Sequence, residues 1–210
     1  IISEMFYKTQ MTIDKIVNLI VSSVIKRQLR NIPYGCIMIS EGVFQSLSEE
    51  DVKSSGIAFT YDDHGHPELG KISKSHIIDH LVEKKMEVLG IKVKTRPVEV
   101  GYEVRCITPK SFDLEYCSML GMGVYELFIK GVSGCMVCRD GNGKIIPLFL
   151  QDLQDPVTGK IPPRIVNMQS QEVQFYMRHI MDYITEDDYE AAKAIVPNPE
   201  EFDFHKILKF

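Results

Sequence analysis

The chain has 210 residues, 44% apolar and 25% charged, a globular mix able to bury a sizeable core in one large domain or two small ones. A net charge of −5 argues against a general nucleic-acid surface. No apolar run reaches the ~20 residues of a membrane-spanning helix, since the longest candidate, Ile16 to Ile25, is interrupted by Asn18, Ser22 and Ser23.

In chain order, Ile1-Ile2-Ser3-Glu4-Met5-Phe6 reads as a short strand without an initiating Met or the basic-then-apolar pattern of a leader. The expectation is a fragment, a cleaved subunit or a chain that begins inside a domain, with half of any site upstream. Thr12 is placed to cap a helix to about Leu29, where Ile13, Ile16, Val17, Ile20, Val24 and Ile25 keep the helical period. Lys26, Arg27 and Arg30 complement the dipole at its end. Tyr34–Ser40 is a nearly continuous apolar run, which predicts a strand buried on both faces of a parallel sheet. Strand, helix and strand make a βαβ unit.

Residues 45–72 are polar and irregular. A helix is predicted from Ser75 to about Leu89, burying Ile77, Ile78, Leu81, Val82 and Met86 and ended by Gly90. Ile91–Lys94 and Pro97–Arg105 read as extended. In the second of these, Val98, Val100 and Tyr102 share one strand face, and Arg96 and Arg105 stand at either side. Two guanidinium forks at the ends of a short strand suit a phosphorylated substrate. The plainer alternative is a solvated edge strand with surface arginines.

Pro109 and Ser111 introduce a long helix to about Lys130, with Gly121 and Gly123 kept for close approach of a neighbouring backbone. Cys135–Arg139 and Ile145–Leu150 flank Asp140-Gly141-Asn142-Gly143, a hairpin signal. A loop from Asp155 to Pro163 follows, then a helix near Gln169–Tyr183 and another from Thr185, where Asp188 completes a capping box. Phe202, Phe204, Leu208 and Phe210 predict a tail docked on the body. Cys36, Cys106, Cys117, Cys135 and Cys138 lack a disulfide or zinc spacing, which predicts buried free thiols in a reducing cytoplasm.

Ligands of open α/β sheets bind beyond the carboxyl ends of the strands. Glu41 follows one predicted strand and Arg105 closes another, so parallel strands would bring both to one rim. Glu41 would accept bonds from sugar hydroxyls there, or else be an exposed loop residue. A metal module is a rival: His64 and His66 form H-x-H, and His76 and His80 lie i, i+4 on one helix face. Lys74 and Asp79 beside the second pair favour a polar face without metal. Asp140-Gly141-Asn142-Gly143-Lys144 lacks the spacing of a phosphate cradle.

The order of motifs resembles the phosphofructokinase family. Met38-Ile39-Ser40-Glu41-Gly42 is similar to the family's strand-plus-Glu-Gly element, and Arg96 through Arg105 to its sugar-phosphate segment. Ser111-Phe112-Asp113 to Gly131, then Gly134-Cys135-Met136, is similar to its long helix and Gly-rich strand entry. Gly101-Tyr102-Glu103-Val104-Arg105-Cys106, the loop Asp63–Gly70 and Asp155-Pro156-Val157-Thr158-Gly159 are most similar to the pyrophosphate-using branch.

The resemblance implies an α/β fold, part of a Rossmann-like three-layer phosphofructokinase architecture. It implies that Glu41 binds hydroxyls of fructose 6-phosphate and that Tyr102 and Arg105 complete the sugar-phosphate pocket. Arg96 would reach the 6-phosphate of a neighbouring subunit in a homo- or hetero-oligomer. Residues 1–108 would be the sugar-phosphate-binding region, 109–150 a helix and hairpin packing with the donor-binding domain, and 151–210 a C-terminal loop and helices.

The implied enzyme is a cytoplasmic phosphotransferase that moves a phosphoryl group from pyrophosphate or ATP to the 1-hydroxyl of fructose 6-phosphate. The family's Gly-Gly-Asp donor loop and Thr-x-Asp-x-Asp base segment do not occur in these residues, so no catalytic residue is assigned. Mg²⁺ is expected mainly on the absent half. The alternative is a non-catalytic regulatory subunit that binds sugar phosphate. Glu4 and Arg30 echo the bacterial members' allosteric site, but Ile32 and Pro33 stand where a further base is needed, so control of that type is not expected.

Overall fold

In the computed structural model, which describes residues 1–6, 10–54, 73–162 and 165–206, Thr12 caps the first helix, α1 (Ile13–Leu29), by accepting the Lys15 N–H at 3.2 Å. After it come α2 (Gly42–Gln45), α3 (Glu49–Ser54), α4 (Lys74–Val88), α5 (Tyr102–Arg105), α6 (Ser111–Ile129), α7 (Gln171–His179) and α8 (Tyr189–Ile195). Strands β1 (Cys135–Arg139) and β2 (Ile145–Phe149) lie between α6 and α7. The chain divides into two units, Ile1–Glu99 with Val166–Phe210, and Val100–Ile165.

The first unit is built on α1. Ile13, Ile16, Val17, Leu19, Ile20, Val21 and Ile25 are buried on it, and it packs against α4 and α8. Burying one such aliphatic side chain contributes about 1.5–3 kcal/mol. Asn31 ends the helix at φ 56°, with Ile32 N–H donating to Arg27 O and Asn31 N–H to Gln28 O, a left-handed C-cap. From α4, Ile78, Val82 and Met86 enter the same core. Gly90 stops α4 at φ 73°, and a Cβ there would stand 2.9 Å from Pro197, so no other residue suits the site.

The tail docks as predicted for Phe202 and Phe204, both buried; Leu208 and Phe210 lie outside the described residues. The capping box at Thr185 and Asp188 also forms, Asp188 Oδ2 accepting from the Thr185 N–H and hydroxyl at 2.8 Å each. The same carboxylate pairs with Lys26 on α1 at 2.5 Å, the two side chains being 17% and 14% exposed. Burial raises the Asp188 pKa, but the Lys26 and Thr185 hydrogen bonds outweigh it and hold the group below the ordinary aspartate range. A carboxylate depressed in the folded state adds stability above its unfolded pKa, and that stability is lost as pH falls through the folded pKa. Asp188→Asn is therefore expected to cost about 1–2 kcal/mol at neutral pH. The gap to the parent should close below roughly pH 4, where an unfolded aspartate protonates, and urea titrations at both pH values check this.

The second unit pairs α6 with a hairpin. β1 and β2 are antiparallel, Cys135 opposite Phe149 and Arg139 opposite Ile145. Asp140 Oδ1 accepts the Asn142 and Lys144 N–H groups and shapes the predicted turn. Gly123 is where α6 meets the hairpin: a Cβ would lie 2.4 Å from Ile145 Cγ2 and 2.7 Å from Val137 Cγ1. The close approach is to side chains rather than backbone, and Gly121 faces open space. Both neighbours are β-branched and stiff. Gly123→Ala is expected to lose about 1–3 kcal/mol to overpacking, which outweighs the ~1 kcal/mol of helix propensity gained, a net fall that chemical denaturation measures.

Several strand expectations are corrected. Ile1 makes a single bridge of parallel type, its amino group donating to Met38 O and its carbonyl accepting from Ser40 N–H. The ladder stops there, because Ser3–Phe6 turns into a 3₁₀ helix that buries both Met5 and Phe6, which a strand would point to opposite faces. Tyr34–Ser40 is extended but not buried on both faces: Tyr34, Ile37 and Met38 are exposed. No neighbouring strand covers it among the described residues. The thiols are free as expected but not buried: Cys36, Cys106 and Cys117 are exposed, and Cys135 and Cys138 half-buried. Residues 49–54, read as irregular, are helical. Helices and the small sheet together give an α/β composition, and the hairpin is the sheet found among the described residues.

Candidate functional site

Glu41 opens α2, and buried Val43 and Phe44 pin that turn to the core. Its carboxylate is 74% exposed and accepts a charged hydrogen bond from Lys74 Nζ at 2.8 Å. Lys74 is the first residue of α4 and only 18% exposed, with its ammonium 6.0 Å from the Phe44 ring centroid.

Arg96 lies in the extended segment after Ile91 and is exposed. The segment is tethered on both sides of it. Thr95 Oγ1 donates to Glu83 Oε1 at 2.5 Å, and Ser73 Oγ donates to Glu99 Oε1 at 2.7 Å, with Ser75 Oγ at 3.4 Å. The Ser73 hydroxyl is the main reason the Glu99 carboxyl sits below its ordinary pKa. The chain thus runs back along α4 to the helix end where Glu41 is held. The sequence places Glu41 and Arg96 on different elements, and the N-terminus of α4 gathers those elements within one unit.

Tyr102 and Arg105 belong to the second unit, and the expected strand Pro97–Arg105 is corrected there. Tyr102–Arg105 is one helical turn, closed by Cys106 N–H on Tyr102 O at 2.8 Å. An alternating run with no strand beside it leaves its backbone groups unpaired, whereas a turn satisfies them locally. Glu103 Oε2 takes the Gly101 N–H at 3.0 Å at the start of the turn. In a strand, residues three apart would face opposite ways, but in a helical turn they are neighbours, so Tyr102 and Arg105 share a face. Both are exposed, Tyr102 at 78%. The common rim of a parallel sheet expected for Glu41 and Arg105 has no counterpart, since neither segment is in a sheet among the described residues.

Other candidates separate from this set. Glu4 accepts the Val166 N–H at 3.0 Å, and Arg30 pairs with Asp182 at 2.9 Å, so both are engaged within the first unit. His64 and His66 lie outside the described residues, and among the described ones no group of three His, Cys, Asp or Glu could hold a metal ion. Clefts of about 280 Å³ on α7, at Phe175 and Arg178, and about 400 Å³ along α4 and Ile91–Val93 are not lined by any of the four candidates. Lys74 and Ser73 were not read as site residues. A lysine opening a helix, against the dipole, was the available signal.

Curated relatives point the same way. A pyrophosphate–fructose 6-phosphate 1-phosphotransferase of Naegleria fowleri is 29% identical over 188 residues, covering 89% of this chain and 43% of the relative. The enzyme of that name from Thermotoga maritima is 29% identical over 179 residues, 83% of this chain and 42% of its own length. This chain resembles the pyrophosphate-dependent phosphofructokinases. A third such relative, from Entamoeba histolytica, is 23% identical over 256 residues and covers 93% of this chain and 47% of itself. The chain spans less than half the length of these relatives. No family model matches it. No helix among the described residues is long and apolar enough to cross a membrane.

Proposed function

We propose that this chain is the fructose 6-phosphate-binding, C-terminal half of a phosphofructokinase that transfers a phosphoryl group from pyrophosphate, or else ATP, to the sugar 1-hydroxyl. The observation that carries this is a likeness, running over most of the chain, to relatives whose names give both substrates. The three-layer phosphofructokinase architecture belongs to the same proposal.

In this reading Glu41 accepts hydrogen bonds from sugar hydroxyls, and Tyr102 and Arg105, on one face of α5, hold the phosphate end. Arg96 reaches a 6-phosphate at an oligomer interface, a role its exposure permits. Phosphoryl transfer depends on positioning and charge neutralisation more than on covalent chemistry. An anchor far from the reacting bond contributes binding energy that orients the 1-hydroxyl. Donor, general base and Mg²⁺ are assigned to the length of the relatives that this chain does not span. No step here runs through the ion.

Calorimetric titration of fructose 6-phosphate into the chain tests the proposal. Saturable binding that inorganic phosphate displaces is expected, and absence of binding overturns it. Binding that persists without turnover, once the remaining length of the relatives is supplied, would select the regulatory-subunit alternative.

A further inference from the structure

The first residues of α4 are poorly chosen for the helix they open. Ser73 has the extended conformation of an N-cap, φ −68° and ψ 101°, yet its hydroxyl does not cap α4. A serine there ordinarily accepts a backbone N–H and stabilises the helix. This one donates to Glu99 instead, at 2.7 Å. Lys74 follows, a cation against the positive end of the helix dipole, where acidic residues are favoured. It is also mostly buried, which adds a desolvation cost to an ammonium. Two adjacent residues therefore give up helix stability. Both direct their polar atoms at segments that carry proposed sugar ligands: Lys74 at Glu41, and Ser73 at the stretch holding Arg96. Local rules broken side by side without a local gain mark residues kept for another purpose.

We propose that the N-terminus of α4 is a positioning clamp for the acceptor sugar, in which Lys74 orients the Glu41 carboxylate and Ser73, through Glu99, tethers the segment bearing Arg96. The clamp rests on the fructose 6-phosphate reading and adds to it the residues that aim its ligands. Lys74 bonds Oε1 of Glu41 at 2.8 Å with its ammonium 6.0 Å from the centroid of the buried Phe44 ring, so this exposed carboxylate is tied to a residue that itself sits against the core. Lys74 and Ser73 are positioning residues and do not touch the sugar. Glu83, which takes the Thr95 hydroxyl, steadies the far end of the tethered segment.

The test is fructose 6-phosphate binding to the full chain, with melting curves for each variant. Lys74→Met is expected to raise Kd about tenfold, the loss of one oriented charge-assisted contact, and to leave the melting midpoint unchanged or higher because a cation leaves the helix start. Lys74→Arg, which can still reach the carboxylate, should stay within about threefold of the parent. Glu41→Gln combined with Lys74→Met should bind no more weakly than Glu41→Gln alone, since residues acting through one another are not additive. Ser73→Ala should weaken binding less than Lys74→Met does. Parental affinity in Lys74→Met, additive losses in the double variant, or a fall in melting midpoint that tracks the loss of affinity overturns the clamp and leaves the sugar-phosphate reading standing. A parent chain that does not bind fructose 6-phosphate overturns both.

Discussion

Replacing Arg105 by alanine, in an enzyme assembled to the full length of the relatives, is expected to raise the KM for fructose 6-phosphate by one to two decades while kcat falls less. The magnitude follows from the contact. A hydrogen bond to a charged group contributes about 1.5–3 kcal/mol, and each 1.4 kcal/mol is roughly tenfold in affinity. The effect falls on KM because the phosphate end is remote from the 1-hydroxyl, so its binding is felt before and during transfer alike. Arg105 is exposed on a short helical turn, and surface replacements of that kind usually stay within about 0.5 kcal/mol of parental stability. A change in KM is then a change in the site. Arg105→Lys should recover part of the loss, because the charge remains and the planar fork does not. Steady-state kinetics decides the matter, and an unaltered KM removes Arg105 from the pocket.

Phe204→Ala is expected to be the most destabilising single change in the first unit. Its side chain is 2% exposed, with ring centroids 5.0 Å from Phe202 and 6.5 Å from Tyr189. Truncating a buried phenylalanine costs about 3–5 kcal/mol, the lost transfer energy plus the cavity left behind. Against a typical total of about 5–15 kcal/mol, that is a large share. For a chain of this size the melting midpoint should fall by roughly 6–20 °C. The loss has a second component, because Phe204 holds the tail against α8, whose N-terminal Asp188 is paired with Lys26 on α1. A decrease under about 1 kcal/mol in chemical denaturation would make the tail peripheral to the fold.

The parts of the fold that could be read from the residues share one property: their stabilising partners are close in sequence. Thr12 finds the Lys15 N–H three residues on, Thr185 finds Asp188, and Asp140 organises a turn within five residues. The apolar period of α1 and α4 names most of the buried residues, missing Leu19 and Val21 and placing in the core Val24, Ile77 and Leu81, which are half-buried; it succeeds that far because helical backbone bonds are internal to the segment. Phe202 and Phe204 of the tail likewise announced their burial. Besides the thiols, which are not buried, and the short helix at Glu49–Ser54, the failures were strands. Tyr34–Ser40 has the continuous apolar run and Pro97–Arg105 the alternation that strands show, but a strand exists only where another lies beside it, and side-chain pattern does not supply that neighbour. One bridge from Ile1 is what the first segment obtains, and the second coils into a turn at Tyr102.

The site divides along the same line. Residue chemistry nominated Glu41, Arg96 and Arg105 as candidates, since a guanidinium or carboxylate suits phosphate or hydroxyl wherever the backbone carries it, and motif order added Tyr102. Within the first unit, the placement of Glu41 and of the segment bearing Arg96 was decided by packing: Lys74 lies 33 residues from Glu41 and Ser73 lies 26 from Glu99. Contacts over such separations form only after the core has brought α4 to its place, which is why the pairing of Lys74 with Glu41 at the helix start became visible in three dimensions and not in the order of residues.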